Sequence, residues 1–88
     1  MTIYEAIKRE RQNQDEKWGE QNHNGLKWLA ILMEEIGECS ELINELYLAI
    51  GESIDVEDNK EFLRHELIQV AAVCVAWLES IKRNSEVS

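Results

Sequence analysis

The chain has 88 residues, 44% of them hydrophobic and 31% charged, which describes one small globular domain too short to bury a large core alone. Its formal net charge of −9 argues against a nucleic-acid polymer or an anionic membrane as partner. Phosphates, if it handles them, must be met through metal ions and a few local cations. There is no Pro and only four Gly, a composition for a few long helices rather than a meander of strands and turns.

Thr2 is placed to cap a first helix running to about Lys17, with Glu5 completing a capping box. Ile3, Ala6 and Ile7 give this helix a short apolar stripe, whereas Arg9 to Glu16 is almost wholly polar and must lie over something polar or stay solvated. The segment from Trp18 to Gly25 reads as a loop. The same N-terminus lacks a basic segment followed by an apolar one, so no secretory signal is expected and the protein is placed in the cytoplasm.

A second helix is expected from about Leu26 to Ile50. Leu29, Ile36, Ile43 and Ile50 recur every seven residues, and Leu32, Cys39 and Leu46 interleave with them, which predicts a buried seam. Glu35 falls at the edge of that seam and Glu38 about 60° further round, while Glu34, Glu41 and Glu45 continue toward solvent. Cys39 and Cys74 lie on apolar helix faces outside any CxxC pair and read as free thiols in a core.

After an acidic connector, Asp58 or Asn59 is expected to cap a third helix, from Lys60 to about Arg83, with a frayed tail over 84–88. From Leu67 to Leu78 only Gln69 is strongly polar. A helix apolar all round needs burial on every side, and two neighbours from one chain cannot supply it. The expected fold is therefore all-α, with three main helices per chain in a single domain over 1–88, forming a bundle completed by homodimerisation. No run is long enough to span a bilayer.

Glu66 projects from the apolar face of the third helix, and Gln69 lies one turn on. If the second and third helices pack antiparallel, Glu35 and Glu38 face Glu66 and Gln69. Three carboxylates and an amide oxygen are hard ligands suited to Mg²⁺, with Mn²⁺ as the alternative. His65-Glu66-Leu67-Ile68-Gln69 has Gln where a zinc-protease helix needs its second His, so zinc is not expected.

Glu34-Glu35-Ile36-Gly37-Glu38, followed by Glu66-Leu67-Ile68-Gln69, resembles the EExxE…ExxD signature of the MazG-like, all-α nucleoside triphosphate pyrophosphohydrolases. Upstream, Trp18-Gly19-Glu20-Gln21-Asn22-His23 and then Trp28-Leu29-Ala30-Ile31-Leu32 are similar to that family's segment before its first acidic helix. The resemblance covers roughly Gln12 to Trp77. It implies a homodimer or tetramer and Mg²⁺-dependent cleavage of a (deoxy)nucleoside triphosphate between the α- and β-phosphates, giving the monophosphate and pyrophosphate. Glu35, Glu38 and Glu66 match the family's metal-binding acids, and Gln69 stands where the family has Asp. Under this reading Glu38, or Glu35, takes the proton of the attacking water. Trp18, His23 and Trp28 are candidates for a base pocket in which an indole stacks on the ring, and Gln21 and Asn22 for reading base edges. Arg9, Arg11, Lys17 and Lys27 are candidates for holding phosphates. The competing reading is a non-catalytic helical dimer that binds nucleotide or a partner protein, with Gln69 marking lost catalysis.

Overall fold

A computed structural model describes residues 1–47 and 56–87. The described residues are helical with no strand: α1 (Ile3–Trp18), α2 (Gly25–Tyr47) and α3 (Val56–Val87). Helix α1 starts as its sequence predicts, the Thr2 hydroxyl accepting the Glu5 N–H at 3.1 Å. It stops at Gly19, whose φ of 72° and ψ of −171° belong to a region reserved for glycine, and whose N–H caps the Asp15 carbonyl at 2.8 Å. Helix α2 begins at Gly25, because the Asn24 side chain accepts the Lys27 N–H at 2.9 Å and serves as its N-cap.

Helix α3 is longer than expected. It begins at Val56, so Asp58 and Asn59 lie inside the helix rather than capping it. It also continues through Asn84 to Val87, where a frayed tail was expected, with the Ser85 hydroxyl donating back to the Ile81 carbonyl at 2.8 Å. Helix propensity without a Pro or Gly between 56 and 87 explains the extension. Ile50 and the rest of the segment 48–55 lie outside the described residues.

Helix α3 is the centre of the arrangement, packing against both α2 and α1. Ala72, Ala76 and Ser80 are small residues at four-residue intervals and are almost fully buried, which lets neighbouring backbone come close. The core gathers on this stripe: Trp28, Val73 and Ala76 are buried, with Ile31, Leu32 and Trp77 packed against them. Trp28 is 2% exposed, and its indole lies parallel to that of Trp77 with ring centroids 6.3 Å apart. Contacts pair the start of α2 with the end of α3 (Trp28 with Trp77) and later α2 with earlier α3 (Glu35 with Gln69), so these helices are antiparallel. Helix α1 runs the other way, Ile3 and Ile7 lying near Leu63 and Leu67 while Arg11 reaches Glu79 at 2.7 Å.

The expected seam on α2 is only partly covered within the chain. Cys39 is buried and Leu32 half-buried, but Leu29, Ile36 and Ile43 are 46%, 40% and 42% exposed. On α3, Leu67 and Leu78 are 53% and 65% exposed. The physical reason is that three helices cover only one side of α2 and part of α3. The radius of gyration, 15.5 Å, exceeds the ~12 Å of a compact chain of this length, and the molecule measures 56 × 30 × 18 Å. No helix among the described residues is long and apolar enough to cross a membrane.

Candidate functional site

The antiparallel packing of α2 on α3 brings Glu35, Glu38 and Glu66 together, with a carboxylate oxygen of each within 4.8 Å of the others. Glu35 and Glu38 come from adjacent turns of α2, and Glu66 comes across from α3. Glu38 is exposed, while Glu35 and Glu66 are half-buried. Burial pushes the Glu35 carboxyl above the usual carboxylate range, and the charges of Glu38, Glu66, Glu34 and Glu10 push it further. Burial also raises Glu66, aided by a hydrogen bond and charge interaction with Glu38 and opposed by His65. Cys39, one position beyond Glu38, is buried beside the same acids; desolvation and the charges of Glu66, Glu35 and Glu38 push its thiol up.

Gln69 is the fourth member. Hydrogen-bond chemistry orients its amide with the NH₂ toward Glu35 Oε2 at 3.2 Å and Glu66 Oε2 at 3.1 Å, while its oxygen accepts from His65 Nε2 at 3.2 Å. His65 is exposed, yet it touches the site through this bond. Turned by half a rotation, the same amide would present oxygen to the acids. The donor set is thus three mutually repelling carboxylates and a rotatable amide. That chemistry fits a hard divalent cation, whose charge relieves the repulsion. The ion pairs of Arg11 (with Asp15 and Glu79) and Arg83 (with Glu20) go elsewhere.

Beside the acids, α1, α2 and α3 enclose a cleft of about 280 Å³. It is lined by the polar Glu10, Glu34, Glu35 and Gln69, by Trp18, Trp28, Ile31, Val73 and Ala76, and by Gln14 and Gln21. Of the residues singled out from the sequence, Trp18, Gln21 and Trp28 therefore join Glu35 and Gln69 in one cavity. His23 does not line it but supports it, its ring meeting the Trp28 indole edge-on with centroids 5.0 Å apart. The Lys17 ammonium sits 4.6 Å from the Trp18 ring centroid, a cation–π contact. Lys27 is exposed at the start of α2 and does not line the cleft. Asn22 is engaged by structure: its Oδ1 accepts from Arg83 at 3.1 and 3.3 Å and from the buried Ser80 hydroxyl at 3.4 Å. Arg11 is engaged too, by Glu79, Gln14 and Asp15, and Arg9 lines a separate groove with Arg64 and His65.

Glu10 and Gln14 belong to the cleft but were not singled out from the sequence. Their signal was the polar second half of α1: Glu10, Arg11 and Gln14 are half-buried and continue, at helical spacing, the face begun by Ala6 and Ile7. The stripe changes from apolar to polar where α1 passes from Leu63 and Leu67 of α3 onto the cleft.

Comparison of the chain with protein-family profiles, with curated proteins and with solved structures found no match.

Proposed function

We propose that the protein is a Mg²⁺-dependent nucleotide pyrophosphohydrolase that converts a (deoxy)nucleoside triphosphate and water to the monophosphate and pyrophosphate. The observation that carries this reading is the cluster of Glu35, Glu38 and Glu66, whose member Glu35 lines, with Gln69, the same cleft as Trp18 and Trp28. A molecule with a flat ring at one end and a polyphosphate at the other suits such a cavity, and the acidic motif's resemblance to the MazG-like pyrophosphohydrolases points the same way.

Glu35, Glu38 and Glu66 would hold the cation, with Gln69 adding its amide oxygen when turned. Bound there, Mg²⁺ supplies compensation for the phosphate charge and lowers the pKa of a water. Glu38, the exposed member, is the group for accepting a proton from the water that attacks the α-phosphorus, while the bond from that phosphorus to the bridging oxygen breaks and the pair leaves with pyrophosphate. Trp18 offers the face that Lys17 does not cover to the base, and Gln21 and Gln14 offer amide groups to its edges.

The reading includes a homodimer. The apolar residues left exposed on α2 and α3, and the thinness of the molecule at 18 Å along its shortest axis, favour a second copy as their cover. A second reading rests on Gln69, which adds no negative charge and cannot act as a base: a dimer that binds nucleotide and metal without cleaving it.

The test is release of pyrophosphate from a panel of ribo- and deoxynucleoside triphosphates with Mg²⁺, beside Glu38→Ala, with sedimentation to give the mass. Equal amounts of monophosphate and pyrophosphate, lost in the variant, support the enzyme. Mg²⁺-dependent nucleotide binding without turnover transfers support to the binding module. A parent protein that neither binds nor cleaves any of them rejects both.

A further inference from the structure

The side-chain nitrogen of Trp28 is the one feature of the cleft that neither packing nor the proposed chemistry accounts for. Trp28 is 2% exposed, and among the described residues its Nε1 is the sole buried side-chain nitrogen or oxygen without a hydrogen-bond partner. A buried donor left in this state carries an uncompensated desolvation penalty, so native proteins rarely keep one without a use. The rest of the ring is occupied: Trp77 stacks against it at an interplanar angle of 11°, and His23 meets it at 62°. Trp28 is thereby held in one orientation and is poorly placed to stack on a ligand, the role the sequence suggested for it. What it has left to offer is the N–H.

Indole is a donor only, so its partner must bring an acceptor. Trp28 lines the cleft together with Glu34, Glu35 and Gln69. The cleft's 280 Å³ is just under the roughly 300 Å³ at which small-molecule pockets begin, enough for a ring and sugar with charged groups reaching the acids. We infer that the Trp28 N–H is a specificity-determining donor that binds an acceptor atom, a carbonyl oxygen or unprotonated ring nitrogen, on the edge of the substrate's base. This rests on the nucleotide reading above and adds to it the polar contact that selects the ring.

A competing partner exists in the same place. A small, partly open void of about 10 Å³, lined by Trp28 together with Arg11, Gln14, Asp15 and Arg83, shares Trp28 and Gln14 with the cleft, and that is about the space of one water. A water fixed there would satisfy the N–H with no ligand involved.

The experiment replaces Trp28 with 3-benzothienylalanine, which keeps the ring shape and puts sulfur in place of the N–H. Binding of the non-cleavable α,β-imido analogues of dUTP, dCTP, dGTP and dATP is measured with Mg²⁺, beside inorganic tripolyphosphate, which has no base. The expected result is ~10-fold weaker binding of the preferred analogue by the sulfur variant and unchanged binding of tripolyphosphate. In the parent protein, the Trp28 indole N–H resonance should move downfield with that analogue and stay in place with tripolyphosphate. This spectrum decides the matter even if the variant folds poorly. Equal analogue affinities for the two proteins, or a Trp28 N–H in contact with a water that persists in the complex, would overturn the inference while leaving the nucleotide reading intact. Absence of any analogue binding to the parent would remove both.

Discussion

Neutralising one of the clustered acids should make this protein more stable while weakening its hold on a cation. Glu35→Gln is the informative change, since it keeps the shape of a half-buried side chain and removes one charge. Two other carboxylates have oxygens within 4.8 Å. At that distance a pair of like charges repels by about 1 kcal/mol in a water-like dielectric and about 3.5 kcal/mol at an effective value near 20. The exposed position of Glu38 favours the lower figure, so two relieved pairs amount to about 2 kcal/mol, and salt reduces this to about 1–2 kcal/mol. For a domain of this size the melting temperature should rise by roughly 5–15 °C. The assay is thermal unfolding in a chelating buffer at fixed protein concentration, repeated with Mg²⁺. The parent should gain about 2.7 kcal/mol at a hundredfold excess over its dissociation constant, and the variant much less at the same Mg²⁺ concentration. A Glu35→Gln protein that melts at or below the parent's temperature in chelator would refute the electrostatic account of the cluster.

Three further outcomes are expected. Glu35 and Glu66 titrate above the usual carboxylate range, so between the unfolded value of about 4.3 and their raised values the native state binds more protons, and stability falls as pH rises through that window; urea midpoints in chelator should drop from pH 5 to pH 7.5 by more in the parent than in a Glu35→Gln, Glu66→Gln double variant. Gly19→Ala should cost about 1–3 kcal/mol, read by chemical denaturation, because φ of 72° with ψ of −171° strains any side chain even though a Cβ would meet nothing within 4 Å. Arg83→Ala removes the bonds to the Gln21 carbonyl at 2.9 Å, to Asn22 and to Glu20 that hold the α1–α2 loop on α3; it should lose about 1–2 kcal/mol and raise KM more than it lowers kcat, since Gln21 lines the cleft and the acids are untouched.

What could be read in the sequence depended on local, periodic signals. The Thr2 cap is set by a hydroxyl three residues from the N–H it accepts, and the meeting of Glu35, Glu38 and Glu66 follows from helical spacing once α2 and α3 are antiparallel. The part played by α1 was not legible in the same way. Its polar half carries no apolar repeat, and its placement over the cleft depends on the pairing of Arg11 with Glu79, 68 positions away. The fate of Asn22 was hidden for the same reason, since Arg83 and Ser80 reach it from the far end of the chain. The length of α3 was underestimated because polar residues at 57–60 and 84–86 weaken the amphipathic pattern while no Pro or Gly interrupts the helix.

Cys39 shows a side effect of crowding acids at one place. Oxidants and alkylating agents attack the thiolate, and the burial of this sulfur, together with the three carboxylates beside it, disfavours that form. The acidic cluster thereby shelters its neighbour from oxidation. A cation that quenches the negative field would remove the electrostatic part of that shelter, so the rate at which a small alkylating reagent modifies Cys39 should record how fully the acids are occupied.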